Sequence, residues 1–475
     1  MLRRTKIVAT LGPATDDPAI MSKVIEAGVD VVRLNFSHGT HEVHFRRAQQ
    51  ALECARACNR HVGILVDLQG PKIRIGKFKS GSIQLAEGDR FVLDADLGLD
   101  DGTQQTVGIT YKELPQDVVA GAVLLLDDGR IAMRVDEVKG PRVVCHVLVG
   151  GALSNNKGIN RQGGGLTARA LTDKDRDDIR AAAKIGADYL AVSFPRSADD
   201  ILEARDLLRA AGGRGGIIAK IERAEAVEAI DDILRVSDAV MVARGDLAVE
   251  IGDAAVPPVQ KRIIRRARAM NRVVITATQM MESMIESPVP TRAEVSDVAN
   301  AVLDGTDAVM LSAETASGKH PAAAVAAMDR VCRVAEKEFE AIHSRPGDDA
   351  FVRVDEAIAS AVMYIGNHLP VRAIAALTES GSTTLWMSRI SSALPIYALT
   401  PHAETQRKLT LYRGVYPVNF VTSSNDPAVV LKDAANELLK RDAVGKDDLL
   451  ILTIGEPLAK AGGTNSLKLV RIRDL

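Results

Sequence analysis

The sequence predicts an α/β protein: a (β/α)8 TIM barrel with an inserted small β-barrel lid domain and a C-terminal open α/β domain. Three observations predict this fold. Eight short apolar runs are each followed by a helical pattern, a turn-rich stretch of about a hundred residues separates the third run from the fourth, and further helices and strands follow residue 350. Alternating strands and helices build parallel sheets, and eight such units close into a barrel.

The eight apolar runs define a catalytic barrel formed by residues 1–71 and 169–343. Each run ends in polar residues, as expected where barrel strands meet a catalytic face. The runs are Lys6–Gly12, Asp30–Ser37, Val62–Gly70, Tyr189–Phe194, Ile217–Glu222, Ala239–Leu247, Val273–Met280 and Ala308–Thr315.

Residues 72–168 interrupt this series and have a different character. Asp-Gly, Gly-Gly and Glu-Gly turn signals separate short apolar runs such as Val123–Leu126 and Val143–Val149, a pattern typical of antiparallel strands. We expect a small antiparallel β-barrel. Because an insertion after a barrel strand lies on the catalytic face, this domain is placed to act as a lid.

A third domain, residues 351–475, follows the polar linker Ser344–Ala350. Its pattern predicts an open doubly wound α/β unit, and no internal repeat beyond the barrel units is evident. The expected helices are Asp355–His368 and Ala428–Arg441, and the expected strands are Ala373–Leu377, Pro395–Leu399 and Leu449–Ile454.

Composition excludes several classes of function. Sixty basic and 62 acidic residues leave a net charge of −2, so no global field attracts nucleic acid or an anionic membrane. Four scattered cysteines suit neither a disulfide framework nor a four-cysteine metal site. No apolar run approaches the ~20 residues of a membrane span. We therefore expect a soluble cytoplasmic protein with no nucleic-acid or membrane partner.

The fifth and sixth runs end in charged residues that suit a metal–phosphate site. Lys220 and Glu222 are two positions apart, so a strand places both on one side. Asp246 ends the sixth run, after a glycine that allows close approach of a ligand. Mg²⁺ prefers one or two carboxylates and completes its octahedron with water or substrate oxygens. The alternative is that Lys220 and Glu222 form only a structural salt bridge at the barrel rim.

The other strand ends favour a shared site. Arg33, Asn35 and Ser37 alternate along the second run, and Asp67 closes the third. Because barrel interiors prefer branched apolar side chains, six polar strand ends are hard to ascribe to packing. The remaining polar ends are Thr278 on the seventh run and Ser312 with Glu314 on the eighth.

Nine segments, in order along nearly the whole chain, resemble the signatures of pyruvate kinases. They are TKIVATLGPAT, VVRLNFSHG, DLQGPKIRIG, NKGIN, IIAKIER, MVARGDLAVEI, TATQMMESM, PTRAEVSDVANAV and DAVMLSAETASGKHP. The resemblance implies phosphoryl transfer from phosphoenolpyruvate to ADP, which gives pyruvate and ATP. It also implies a homotetramer controlled by an allosteric effector.

The resemblance assigns roles residue by residue. Lys220 matches the transition-state lysine, and Glu222 with Asp246 match the ligands of Mg²⁺ or Mn²⁺. Arg33 matches the residue that contacts the substrate phosphate, and the Gly245 backbone with Thr278 matches the cradle for the pyruvate carboxylate. Thr278 and Ser312 match residues near the carbon that is protonated. Arg74 and Lys157 match the contacts to the nucleotide phosphates.

One departure concerns the monovalent-cation region. Many family members bind K⁺ at positions matching Asn35, Ser37, Asp67 and Leu68, with a glutamate where this chain has Lys72. A lysine brings a fixed positive charge to this region, which predicts that K⁺ is not required. The alternative is that Lys72 points to solvent.

The stretch Thr378–Thr384 resembles the effector loop of the family. Its hydroxyls (Thr378, Ser380, Ser382 and Thr383) precede a helix, a placement suited to anions. Glu379 would repel a bisphosphate, so we expect the effector to be a sugar monophosphate or AMP. The alternative is that this stretch is a polar helix cap without a ligand.

Two rival functions for the whole protein remain. One is another metal-dependent barrel enzyme that acts on an enolate of phosphoenolpyruvate or pyruvate, and the other is a non-catalytic regulator.

Overall fold

The computed structural model describes residues 2–338, 351, 353–422, 424–457 and 461–474. Eight parallel strands close into a barrel in which each strand pairs with its neighbours in chain order, as the sequence predicted. The predicted linker Ser344–Ala350 lies outside the described residues. The barrel strands are Lys6–Thr10, Val31–Asn35, Gly63–Asp67, Tyr189–Val192, Gly216–Ile221, Ala239–Ala243, Val273–Ala277 and Ala308–Leu311.

Helices surround the barrel, and polar residues mark where several of them begin. Thr172 accepts a hydrogen bond from the N–H of Asp175, whose carboxylate accepts one from the Thr172 N–H in return, so two orphan donors are satisfied together. The longer barrel helices are Pro18–Glu26, His41–Ala57, Asp173–Ile185, Ala198–Ala210, Ile230–Val236, Arg244–Ile251, Val256–Ala269, Arg292–Leu303 and Pro321–Glu338, and the short ones are Ala224–Glu228 and Ala313–Ala316.

Four aspartates join the barrel strands in pairs at their N-terminal ends. Each directly precedes an even-numbered strand, and each exchanges two hydrogen bonds with one residue of the preceding strand. The carboxylate accepts the backbone N–H of that residue at 2.8 to 2.9 Å, and the aspartate N–H donates to its carbonyl. The pairs are Asp30 with Ile7, Asp188 with Ile64, Asp238 with Ile217 and Asp307 with Val274. The barrel is thus a fourfold repeat of strand pairs.

The insertion is β-rich, as predicted, and packs around one apolar core that includes Ile75, Phe91 and Leu124. Its regular strands form a six-stranded sheet and a two-stranded sheet. Pairing between these regular strands is antiparallel except at one edge, where Thr106–Gly108 runs parallel to Arg90–Asp94. The remaining strands are Ser82–Leu85, Val123–Leu126, Ile131–Lys139, Arg142–Val149, Gly151–Ser154 and Ile159–Arg161, with a short helix at Leu114–Asp117.

The C-terminal domain contains a five-stranded sheet, parallel except for its last strand. The sequence pattern did not predict two edge strands. They are Val415–Asn419, which contains a proline, and Thr464–Arg471, which is mostly polar. Both features are tolerated at a sheet edge, where one side of the strand is unpaired. The other strands are Val371–Leu377, Ile396–Thr400 and Leu449–Gly455, and the helices are Val354–His368, Ser382–Arg389, Ala403–Leu409 and Pro427–Lys440.

This domain packs against the N-terminal ends of the barrel strands. Tyr189 donates from its hydroxyl to the Lys408 carbonyl at 2.7 Å, and Arg407 pairs with Asp188 at 3.0 Å. The insertion therefore lies at the opposite end of the barrel. Within the described residues, no helix combines the length and apolar character needed to cross a membrane.

Candidate active site

A cleft of about 710 Å³ lies between the C-terminal ends of the barrel strands and the insertion. The chain folds so that residues far apart in sequence meet there, because every barrel strand points its C-terminal end the same way. The cleft brings together predicted site residues from both units: Arg33, Asn35, Ser37, Lys72, Arg74, Lys157, Lys220, Glu222 and Asp246.

Lys220 occupies the floor of this cleft between two buried carboxylates. Its ammonium nitrogen lies 2.9 Å from Glu222 Oε1 and 3.3 Å from Asp67 Oδ1. Burial alone would lower the pKa of Lys220, but the adjacent carboxylates of Asp67 and Glu222 raise it above its usual value. The lysine is therefore a fixed positive charge.

Ser193 is a contact that the sequence analysis missed. It accepts a hydrogen bond from Lys220 Nζ at 2.7 Å and donates to the Leu68 carbonyl at 2.7 Å. Ser193 follows the fourth barrel strand, and its place among polar strand ends was the signal that could have identified it. It fixes the direction of the lysine side chain.

Arg33 and Asp67 form a second buried pair beside the lysine. Arg33 donates from Nε to Asp67 Oδ2 at 2.7 Å and from Nη1 to Thr10 Oγ1 at 3.0 Å. Although burial raises the pKa of Asp67, Lys220 and Arg33 together lower it below its usual range. Asp67 is thus a permanent anion that orients both cations.

Glu222 and Asp246 fit the metal-binding role. Oε1 of Glu222 is buried without a hydrogen bond of good geometry, despite its 2.9 Å distance from Lys220. Burial and the neighbouring Glu222 carboxylate raise the pKa of Asp246 to about 7. A bound cation would give Glu222 Oε1 a partner and would reduce the repulsion between the Glu222 and Asp246 carboxylates. The described residues contain no group of three or more His, Cys, Asp or Glu side chains suited to a metal, but Mg²⁺ needs only one or two carboxylates beside substrate oxygens.

One boundary differs from the sequence analysis: Asp246 does not end a strand. The sixth strand stops at Ala243, and Asp246 lies in the first turn of the helix Arg244–Ile251. The apolar residues on both sides of Arg244-Gly245-Asp246 made the run look continuous. The turn still points into the cleft, and the helix start also favours negative charge.

Thr278 and Gly245 form a small cradle next to the cleft rather than part of its lining. The Gly245 N–H donates to Thr278 Oγ1 at 2.9 Å, and a methyl group built on Gly245 would lie 3.8 Å from that oxygen. Thr278 and Gln279 have φ values of +69° and +53°, which are unfavourable for side-chain-bearing residues. Arg244, which the sequence analysis did not single out, holds this turn by donating to the Thr278 carbonyl at 2.7 Å.

Ser312 and Glu314 also lie outside the cleft lining. Glu314 is buried, and its carboxylate accepts the backbone N–H groups of Ser312 at 2.7 Å and Met281 at 3.2 Å. Its contacts thus join the loops that follow the seventh and eighth strands.

The predicted nucleotide and monovalent-cation residues line the outer cleft. Lys157 pairs with Asp127 at 2.7 Å within the insertion. Lys72 donates to the Ser37 carbonyl at 3.3 Å, so it turns into the cleft rather than away from it. Burial, with the neighbouring Arg74 and Lys174, lowers the pKa of Lys72.

The predicted effector loop in the C-terminal domain is largely bonded to the protein itself. Ser382 donates to Asp355 at 3.0 Å, Thr383 bonds to Thr464 at 2.7 Å, and Glu379 pairs with His402 at 2.6 Å. An adjacent cavity of about 120 Å³ has no lysine or arginine among its described lining residues. Ser380 is exposed.

Comparisons with known proteins agree with this geometry. Residues 2–325 match the family model "Pyruvate kinase, barrel domain", and residues 356–470 match "Pyruvate kinase, alpha/beta domain". The chain is 56% identical to pyruvate kinase II of Salmonella typhimurium and 53% identical to a pyruvate kinase of Buchnera aphidicola, over 99% of each chain. It also resembles the solved pyruvate kinase of Cryptosporidium parvum, with a TM-score of 0.92 and 36% identity over 99% of this chain and 96% of that one. With both family models matched and relatives of this identity along its whole length, the chain belongs to the pyruvate kinase family of phosphotransferases.

Proposed function

We propose that the protein transfers the phosphoryl group of phosphoenolpyruvate to ADP, giving pyruvate and ATP in the last step of glycolysis. The observation that carries this proposal is the position of Lys220, buried between Glu222 and Asp67 and next to Arg33 and Asp246. Such a site presents fixed positive charge beside carboxylates that suit a divalent cation, which is what a phosphoryl group in transfer requires.

The residues of the cleft have different roles in this reaction. Arg33 and Lys220 bind and orient the phosphoryl oxygens, and both are held in place by Asp67. Glu222 and Asp246 would hold Mg²⁺ or Mn²⁺, which supplies further positive charge to the substrate oxygens. Lys220 stabilises the charge that develops during transfer, at ~4 kcal/mol for a pair about 4 Å apart with an effective dielectric near 20.

The cradle formed by Gly245 and Thr278 would receive the carboxylate of the substrate. The Gly245 N–H points toward Thr278 Oγ1, and a carboxylate oxygen can take the place of that hydroxyl as acceptor. We also propose that Thr278 and Ser312, with ordered water, lie near the carbon to which a proton is added after transfer.

We further propose that Arg74 and Lys157 bind the nucleotide phosphates and that Lys72 makes K⁺ unnecessary. Lys157 is already paired with Asp127, so nucleotide phosphates would compete with that carboxylate. The turn of Lys72 toward the Ser37 carbonyl supports its role, since it brings an ammonium group to the region where K⁺ would otherwise bind.

We also propose how the protein is regulated, how it assembles and where it is located. A phosphorylated effector would bind near Thr378, Ser380, Ser382 and Thr383, in a homotetramer located in the cytoplasm. The support for a reducing compartment is that Cys54, Cys58, Cys145 and Cys332 are all free thiols. The effector assignment rests on the resemblance of this loop to that of the family. Thr378, Ser382 and Thr383 bond to the protein itself, and no lysine or arginine lies among the described residues that line the adjacent cavity.

A coupled assay of pyruvate formation tests the main proposal. Pyruvate should appear only when phosphoenolpyruvate, ADP and Mg²⁺ or Mn²⁺ are all present, and ATP should form in equal amount. Formation of pyruvate without ADP, or from an aldol donor instead of phosphoenolpyruvate, would identify a different enolate enzyme.

A further inference from the structure

Phe194, which follows the fourth barrel strand directly after Ser193, has a backbone conformation that few residues with side chains adopt. Its φ is +54°, which is costly for a bulky residue, and the next residue is Pro195, which restricts its backbone further. Such a conformation persists only where the surrounding contacts impose it, and it is concentrated at functional sites. Phe194 lines the active-site cleft, so the contacts that impose its conformation bear on the site.

The backbone N–H of Phe194 holds the carboxylate that we assign to the metal. It donates to Glu222 Oε2 at 2.8 Å. The other oxygen, Oε1, is buried without a hydrogen bond of good geometry and is therefore the one left for a cation. Hydrogen-bond partners that orient a metal ligand strongly influence the affinity of a site. By fixing Oε2, Phe194 sets the direction in which Oε1 points.

The first connection between the barrel and the insertion lies against Phe194. At Gly70, where φ is +67°, a methyl group would lie 3.1 Å from the ring atom Cδ2 of Phe194 and 2.8 Å from Cβ of Ser193. Both the backbone conformation and these neighbours therefore favour glycine at this position. With so close an approach, this connection cannot move toward the fourth strand without displacing Phe194.

The second connection reaches the same ring through Arg223. The guanidinium carbon of Arg223 lies 5.7 Å from the centroid of the Phe194 ring, within the range of a cation–π contact. Its Nη1 donates to the Leu166 carbonyl at 3.2 Å and to the Ala168 carbonyl at 3.4 Å, where the chain returns from the insertion to the barrel. Phe194 therefore contacts one connection directly and the other through a buried arginine.

We propose that Phe194 is a positioning residue that couples the metal site to the insertion. Its backbone N–H orients Glu222, and its ring is held by both connections to the insertion. A shift of the insertion would move this N–H and change how well Glu222 binds a cation. By reciprocity, a bound cation would hold the insertion more firmly. This inference rests on the proposed role of Glu222 as a metal ligand.

Binding of Mn²⁺ to the full chain without substrate, measured by the electron paramagnetic resonance of free Mn²⁺, tests the proposal. Phe194→Gly removes the ring, and glycine adopts a positive φ without strain. Its affinity for Mn²⁺ should fall about fivefold, less than the roughly tenfold to hundredfold typical when an orienting group itself is lost. Phe194→Tyr keeps the ring and should bind as the wild type does. Phe45→Ala, which removes an exposed phenylalanine from the helix His41–Ala57, is the control and should also bind normally.

Hydrogen exchange supplies a second readout, which is available in the wild type even if Phe194→Gly does not fold. Mn²⁺ should slow amide exchange in residues 163–168 of the wild type and should not do so in Phe194→Gly. Exchange unaffected by Mn²⁺ in the wild type, normal affinity in Phe194→Gly, or equal losses in the glycine and tyrosine variants would overturn the proposal.

Glu222→Gln distinguishes failure of this inference from failure of the proposed metal site. If Glu222→Gln weakens Mn²⁺ binding while Phe194→Gly does not, the metal site stands and the role of Phe194 is wrong. If Glu222→Gln binds Mn²⁺ as the wild type does, the metal assignment fails and this inference fails with it.

Discussion

Asp67 accepts a hydrogen bond from Arg33 at 2.7 Å on one carboxylate oxygen, and its other oxygen lies 3.3 Å from Lys220. One buried anion therefore orients the two cations that we assign to the phosphoryl group. Because Asp67 ends the third strand and Arg33 lies on the second, the barrel itself sets their spacing.

Replacing Lys220 with methionine should lower kcat by at least ~10²–10³, the cost of removing a preorganised charge stabiliser. The KM for phosphoenolpyruvate should change less, because the lysine acts mainly on charge that develops during transfer. Steady-state kinetics measure both constants, with circular dichroism to show that the variant is folded. Near-normal turnover in a folded variant would refute the role of Lys220.

Glu222→Gln should weaken Mn²⁺ binding at least about tenfold, because it removes one of two carboxylate charges from the cation. Titration calorimetry or the electron paramagnetic resonance of free Mn²⁺ measures the affinity. Glu228→Gln, an exposed neutralisation a few residues away, is the matched control and should bind as the wild type does. Equal affinity in both variants would exclude Glu222 as a ligand.

The wild type should turn over equally fast in K⁺ and in a tetraalkylammonium buffer. Lys72→Glu should lower turnover about tenfold or more without K⁺, because it replaces a positive charge near the site with a negative one. Added K⁺ should restore much of the loss in Lys72→Glu. A large K⁺ stimulation of the wild type would contradict the proposed role of Lys72.

Asp188→Asn should lower stability by about 2–4 kcal/mol, because an amide cannot replace the carboxylate that both accepts the Ile64 N–H and pairs with Arg407. Asp238→Asn should cost a similar amount within the barrel. Hydrogen exchange distinguishes the two: residues 403–412 of the C-terminal domain should exchange faster in Asp188→Asn only. The exposed control Asp206→Asn should match the wild type, and equal exchange in all variants would argue against a domain contact through Asp188.

Stability should also depend on Lys6 at alkaline pH. Burial lowers the pKa of Lys6 to about 8, and its ammonium group donates to the Val415 carbonyl at 2.6 Å. Between pH 8 and about 10.4 the unfolded chain keeps a proton that the folded protein has released, so this residue makes stability rise with pH.

Relative to Lys6→Met, the wild type should therefore gain up to about 3 kcal/mol across this range. Melting temperatures measured from pH 7 to pH 10.5 provide the comparison. The exposed control Lys23→Met should run parallel to the wild type. A constant difference between the wild type and Lys6→Met would show that the pKa of Lys6 is not lowered on folding.

The sequence by itself determined the barrel and the presence of the inserted and C-terminal domains, and it predicted charged residues that the barrel brings to one cleft. It could do so because strand and helix patterns are local, and because a closed parallel barrel brings every strand end to one face. The local errors of the sequence-based predictions also arise because these patterns are local. The apolar residues around Arg244-Gly245-Asp246 concealed a helix start, and two polar or proline-containing edge strands gave no strand pattern.

Only the tertiary structure decided how charges pair across strands. Ser193 beside Lys220, Arg244 on the Thr278 turn and the four aspartates that join the barrel strands all act on residues distant in sequence. Such contacts depend on distances of a few ångströms between separate elements, and the order of residues along one chain does not specify them.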